Sequence, residues 1–184
     1  MIHCGEDQLI EKAISGDKEA FGRLYDHYFL QIYKYLLIRT DMREDAEDMT
    51  ETIFMKAWEH LPCFGSKRKK RNFRAWLFRI AHNTVVDHYR TRKKLLPLES
   101  ASQIGNTAEE PGGIASINED SRRIIQAIKR LDETSQKVIV SRFICDLSHK
   151  ETALSIGISE NNVRVIQYRA LKKIRNIMLR EDDE

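Results

Sequence analysis

Near the end of the chain, Ser159, Glu160, Asn161, Asn162, Arg164, Gln167, Tyr168, Arg169, Lys172 and Lys173 form a set suited to nucleic acid. Asn and Gln side chains can pair with adenine, and Arg with guanine. Arg169, Lys172 and Lys173 suit phosphates, which set affinity more than sequence preference. A second set lies earlier. Between Lys67 and Lys94 the basic residues Lys67, Arg68, Lys69, Lys70, Arg71, Arg74, Arg79, Arg90, Arg92, Lys93 and Lys94 are interleaved with Phe73, Trp76, Phe78 and Tyr89, and Asp87 is the single acid. Rings among cations are what single-stranded DNA uses, because bases stack on the rings while cations track the backbone. Phe73 and Trp76 lie on an apolar stripe and read as core. His82, Asn83, Val86 and Arg90 fall roughly along one helical face and are expected to be exposed. The preceding loop, Cys63 to Arg71, is basic and tipped by Phe64. With Ser66, Lys67 and Arg68 it reads equally as a grip for an unpaired base and as a plain surface loop.

Catalysis is not expected. His82, Asp87 and His88 might suggest a nuclease, but His82 and Asp87 are five apart, off one helical face, and no further carboxylates gather to bind Mg2+. Cys4, Cys63 and Cys145 are scattered and lack C-x-x-C spacing, which argues against a disulfide framework or a zinc site and fits a reducing cytoplasm. No metal and no cofactor is expected.

Helices must position these residues. From Asp17, apolar residues at Ala20, Phe21, Leu24, Tyr25, Tyr28, Ile32, Tyr35 and Leu36 follow helical spacing. Asp41 can cap a helix with Ala46, Met49, Ile53 and Ala57 on one side, which Pro62 is expected to stop. A third helix is predicted from near Asn72 to about Lys94. Pro97, Gly105, Pro111, Gly112 and Gly113 mark residues 95–118 as a flexible linker. Helix resumes near Glu119 with Ile124, Ile125, Ile128 and Leu131, and again after Asp132 with Val138, Ile139, Phe143 and Ile144. Ser148-His149-Lys150-Glu151 is a capping box. It opens a short helix to Ile156. Gly157 allows a tight turn, and Ser159 caps a long helix with Val163, Ile166, Ala170, Ile174 and Ile177 facing inward. Short helix, glycine turn and capped second helix make a helix-turn-helix, whose second helix enters the major groove. No run reads as a strand. The fold class is all-α: two small helical domains, 1–94 and 119–184, joined by the linker.

The charge alternates with these boundaries. The 184 residues carry a net charge of only +3, so the pattern matters more than the total. Asp41, Glu44, Asp45, Glu47, Asp48, Glu51 and Glu59 make the second helix acidic and suited to a basic protein, not to DNA. The linker is acidic through Glu99, Glu109 and Glu110. Two separate basic surfaces look like two contacts on a polyanion. The first residues have neither a basic start nor an apolar run, so no signal peptide is expected, and no segment approaches the roughly 20 apolar residues of a membrane span.

Several motifs in this order resemble the extracytoplasmic-function sigma factors, sigma-70-like specificity subunits of bacterial RNA polymerase. Gly16-Asp17-Lys18-Glu19-Ala20-Phe21 through Tyr25 is similar to their opening signature. Arg43-Glu44-Asp45-Ala46-Glu47-Asp48-Met49-Thr50, through Phe54 and Trp58, resembles the helix that binds the polymerase clamp. Phe73 to Ala81, with Asn83, Asp87 and Arg90, resembles the element that reads and melts the minus-ten region, and the helix-turn-helix resembles the reader of the minus-thirty-five element. The resemblance implies a sigma region 2-like domain over 1–94 and a region 4-like domain over 119–184. Core polymerase would be contacted by Asp45, Asp48, Met49, Glu51, Thr52 and Phe54. It further implies a linker that threads the polymerase cleft and mimics RNA, and an anti-sigma factor as partner. Thr50-Glu51-Thr52 departs from the usual Thr-Gln-Glu, and His149 and Thr152 stand where Tyr and Ile are usual. A stand-alone helix-turn-helix regulator of duplex DNA is the alternative; it would leave the acidic helix and the aromatic-basic segment unused.

Overall fold

A computed structural model of the chain describes residues 3–40, 42–65, 72–95 and 119–182. Asp41 and the linker fall outside the described residues. Among the described residues the elements are helical, as expected: α1 (His3–Ile14), α2 (Lys18–Arg39), α3 (Arg43–Gly65), α4 (Phe73–Leu95), α5 (Glu119–Lys129), α6 (Glu133–Ile139), α7 (His149–Ile156) and α8 (Glu160–Asp182). Helix α1 was not foreseen, although Leu9, Ile10, Ala13 and Ile14 give it an apolar face that packs on the core. It is held by packing of Ala13 into the core and by Tyr28, whose hydroxyl donates to Glu6. Asp17 caps α2, its Oδ1 accepting from the amides of Glu19 (2.9 Å) and Ala20 (3.0 Å).

Pro62 does not stop α3. The helix continues to Gly65 although Pro62 has no amide for the Trp58 carbonyl, because Leu61 and Phe64 on that stretch bury against the core. Phe64 packs on Phe73 and Trp76, with ring centroids 5.7 and 4.7 Å away. Asn72 caps α4 by accepting from the amide of Ala75 at 2.7 Å. After α6, which Asp132 caps, residues Val140–Ile144 wind as one π-helical turn. The Cys145 amide reaches the Val140 carbonyl at 3.0 Å. The wider winding rotates Phe143 off the expected inward stripe, leaving it 53% exposed.

The helices of 119–182 lie against those of 3–95. A single apolar cluster takes Leu24, Tyr28, Ile32, Tyr35, Phe78 and Val85 from the first half and Ile128, Leu131, Ile139, Val140, Cys145 and Leu147 from the second. Burying such side chains contributes about 1.5–3 kcal/mol each. Polar bonds cross the same contact. Arg74, steadied within its own half by Gln31 Oε1 at 2.8 Å, donates to the Cys145 carbonyl, Asn72 donates to Glu151 at 3.1 Å, and Arg39 donates to Gln136. A smaller cluster, Val138, Ala153 and Val163, holds the helix-turn-helix together.

Candidate nucleic-acid interface

The helix-turn-helix forms as its local sequence dictates. Ser148 Oγ accepts from the Glu151 amide (3.1 Å), and the Glu151 carboxylate accepts from the Ser148 amide (2.8 Å), closing the capping box. Burial raises the pKa of that carboxyl, but the amide and the hydroxyl of Ser148, then Asn72 and Arg74, outweigh it and hold it below its ordinary value. Gly157 ends α7 in the left-handed region at φ +83°, where a side chain would be strained. Ser159 Oγ accepts from the Asn162 amide at 3.2 Å and starts α8. Val163, Ala170 and Ile174 point inward, while Ile166 and Ile177 are half-buried.

The expected reading set is therefore displayed together. Ser159, Asn161, Asn162, Arg164, Arg169, Lys172 and Lys173 are exposed, and Tyr168 is 72% exposed. Glu160 and Gln167 are half-buried. Glu160 accepts from Arg164 at 2.6 Å, one turn along the helix. Gln167 accepts from Arg142 Nε at 3.3 Å. His149, at the start of α7, faces the same cluster. Burial first, then Arg142 and Arg164, lowers its pKa, against the raising effects of Gln167 and Glu160.

Helix α4 is arranged differently from the expectation. Asn83, Val86 and Arg90 are exposed, with Arg90 paired to Asp87 at 3.1 Å. His82 is not exposed: 3% of it is accessible. Its Nδ1 lies 2.7 Å from the Tyr35 hydroxyl and its Nε2 3.3 Å from Ser155 Oγ on α7. The helical face was read correctly, but α7 covers one edge of it. Burial first, then Lys137, Arg39 and Arg79, drives the His82 pKa down to about 3, so the ring is neutral. Phe64 is likewise 6% exposed, part of α3's core face and not the tip of a loop. Ser66, Lys67 and Arg68 fall outside the described residues.

On α3, Asp48 and Glu51 are exposed and Thr52 is half-buried. Met49 (5%) and Phe54 (4%) are core side chains, with Phe54 packed 4.6 Å from the Tyr25 ring. Asp45 faces α4, 3.5 Å from both His88 and Arg92. The sequence reading did not single out Arg142 or Ser155, and it gave neither the long-range contacts of Arg74 nor that of Tyr35 with His82. Their partners lie far away in the chain, and no local spacing announces them. Burial pushes the Cys145 thiol up to about 12, which keeps it protonated and unreactive. No group of metal-ligating side chains is present among the described residues. No helix among them is long and apolar enough to cross a membrane.

Comparison with known proteins agrees with this geometry. Residues 24–95 match the Sigma-70 region 2 family and residues 127–176 match Sigma-70, region 4. The chain is 31% identical over 173 residues to the ECF RNA polymerase sigma factor BldN of Streptomyces coelicolor, covering 93% of this chain and 65% of that protein. It is 30% identical over 179 residues to the RNA polymerase sigma factor CnrH of Cupriavidus metallidurans, covering 92% of each. The solved structure of CnrH in complex with the cytosolic domain of CnrY superimposes with a TM-score of 0.70 at 27% identity, covering 92% of this chain and 94% of that one.

Proposed function

We propose, since the chain belongs to the extracytoplasmic-function sigma factors of the sigma-70 family, that its surfaces divide the work of promoter recognition and opening among separate helices. As a sigma factor it binds core RNA polymerase and directs transcription initiation. The chemistry of RNA synthesis belongs to the polymerase, and this chain acts by binding, in the cytoplasm. Residues 1–94 form the region 2 domain. There the exposed acids Asp48 and Glu51 of α3 meet the polymerase, with Thr52 beside them, and Met49 and Phe54 hold the helix in place from within. Asn83, Val86 and Arg90 on α4, with the basic segment Ser66, Lys67 and Arg68, take the non-template single strand at the minus-ten element. Unstacking a base costs a few kcal/mol, recovered in the pocket that holds it. Residues 95–118 link this domain to residues 119–184, whose α8 reads the duplex at the minus-thirty-five element.

The open, acid-poor face of α8, with Asn161, Asn162 and Arg164 at its first turns, carries this reading. The covering of His82 by α7 adds a step: α7 must leave α4 before a strand can occupy the whole face. The family resemblance supports a protein inhibitor, an anti-sigma factor, that masks the basic faces, and CnrH was itself solved with the cytosolic domain of CnrY bound. Co-elution with purified core polymerase tests the docking surface. The chain should bind, and Asp48→Lys with Glu51→Lys should weaken binding at least about tenfold, because like charges placed together cost several kcal/mol. Equal binding by the double variant would overturn the docking assignment.

A further inference from the structure

An amide side chain reads adenine by accepting and donating at once, which requires its oxygen and its nitrogen both to face the base. Gln167 is not arranged that way. Its Oε1 accepts from Arg142 Nε at 3.3 Å, so the oxygen is turned toward the body of the helix-turn-helix. Arg142 is itself fixed. It lies in the π-helical turn Val140–Ile144, and a guanidinium nitrogen donates to the carbonyl of the buried Leu147. On the next turn of α8 toward the N-terminus, Arg164 is steadied by Glu160 at 2.6 Å. His149 lies beside these groups, its pKa lowered by burial first and then by the two guanidiniums.

We propose that Arg142 is a positioning residue for minus-thirty-five recognition, holding Gln167 so that it offers the groove its NH2 and selects an acceptor base edge, guanine or thymine, in place of adenine. The inference rests on α8 being the minus-thirty-five reader. A thymine O4 or the guanine O6 and N7 accepts, whereas adenine presents one donor beside its acceptor. Arg142 itself, turned inward, touches no base in this arrangement.

The test is selection from a promoter library randomised across the minus-thirty-five element, using the full chain assembled with core polymerase. Gln167→Ala identifies the base step that Gln167 reads, as the step whose preference disappears. At that step the unaltered chain should favour guanine or thymine. Arg142→Ala should shift the ratio toward adenine by about tenfold, the size of one good side-chain contact, with the other steps unchanged. Gln167→Glu keeps a partner for Arg142 but only accepts, so its preference should move to cytosine, whose N4 amine donates. A profile left unchanged by Arg142→Ala, or a loss uniform across all sequences, overturns the proposal, since the second is what a phosphate contact or a general loss of folding gives. Arg164→Ala separates the two levels: if neither Arg164→Ala nor Gln167→Ala alters any step, the assignment of α8 itself fails.

Discussion

Acid should loosen the packing of α7 on α4 through one side chain, His82. Its ring is enclosed between Tyr35 and Ser155, and the cations Lys137, Arg39 and Arg79 face it. In the folded chain it takes a proton only near pH 3, whereas an exposed imidazole does so near 6.5. Above pH 6.5 the ring is neutral folded or unfolded, and the full stability is present. As pH falls below 6.5 the unfolded chain binds a proton that the folded chain refuses, so stability drops. Going from pH 7.5 to 5.0 crosses one and a half units of that window, a loss of about 2 kcal/mol at 1.36 kcal/mol per unit. Urea unfolding of the unaltered chain and of His82→Asn, followed by the fluorescence of Trp58 and Trp76, measures it. Asn offers similar hydrogen bonds and does not titrate, and groups such as His149 titrate in both proteins and cancel in the difference. The unaltered chain should lose about 2 kcal/mol more than the variant. Equal losses would mean that His82 is open to water and that α7 does not cover it.

Two further outcomes follow from the helix-turn-helix. Gly157→Ala should cost about 1–2 kcal/mol and lower the Tm, because φ is +83° there, while its Cβ would meet Arg79 at an ordinary 3.4 Å. Lys172→Ala and Lys173→Ala should weaken holoenzyme binding to all promoters alike and reduce the slope of log affinity against log salt by about 1 each; a change in base preference would contradict their role as phosphate contacts.

The helices were legible where one face carries the signal. The stripe from Ala20 to Leu36, the helix starts after Asp17 and Asp132, the Ser159 cap, the capping box at Ser148 and the turn at Gly157 are local chemistry, and each forms as read. Helix α1 has a short apolar face, Leu9, Ile10, Ala13 and Ile14, which the reading from Asp17 onward passed over. Features set by long-range packing were not legible. Pro62 carries a strong local stop signal, which the burial of Leu61 and Phe64 overrides. The π-helical turn moves Phe143 outward without any mark in composition. His82 and Phe64 looked exposed because nothing in their own segments reveals that α7 and α4 cover them. The candidate residues on α8 were legible from their types and the helix-turn-helix layout, while the contact of Arg142 with Gln167 comes from a segment distant in the chain and could be found only in three dimensions.

Run-off transcription tests the central claim most directly. Purified core polymerase is given the DNA upstream of this chain's own gene, with and without the protein. A defined transcript that needs the protein, and that is lost when Asn161, Asn162 and Arg164 are replaced by alanine, is the predicted result. No protein-dependent transcript, together with no binding to core polymerase and tight binding of duplex DNA by the chain alone, would contradict it and favour a stand-alone regulator.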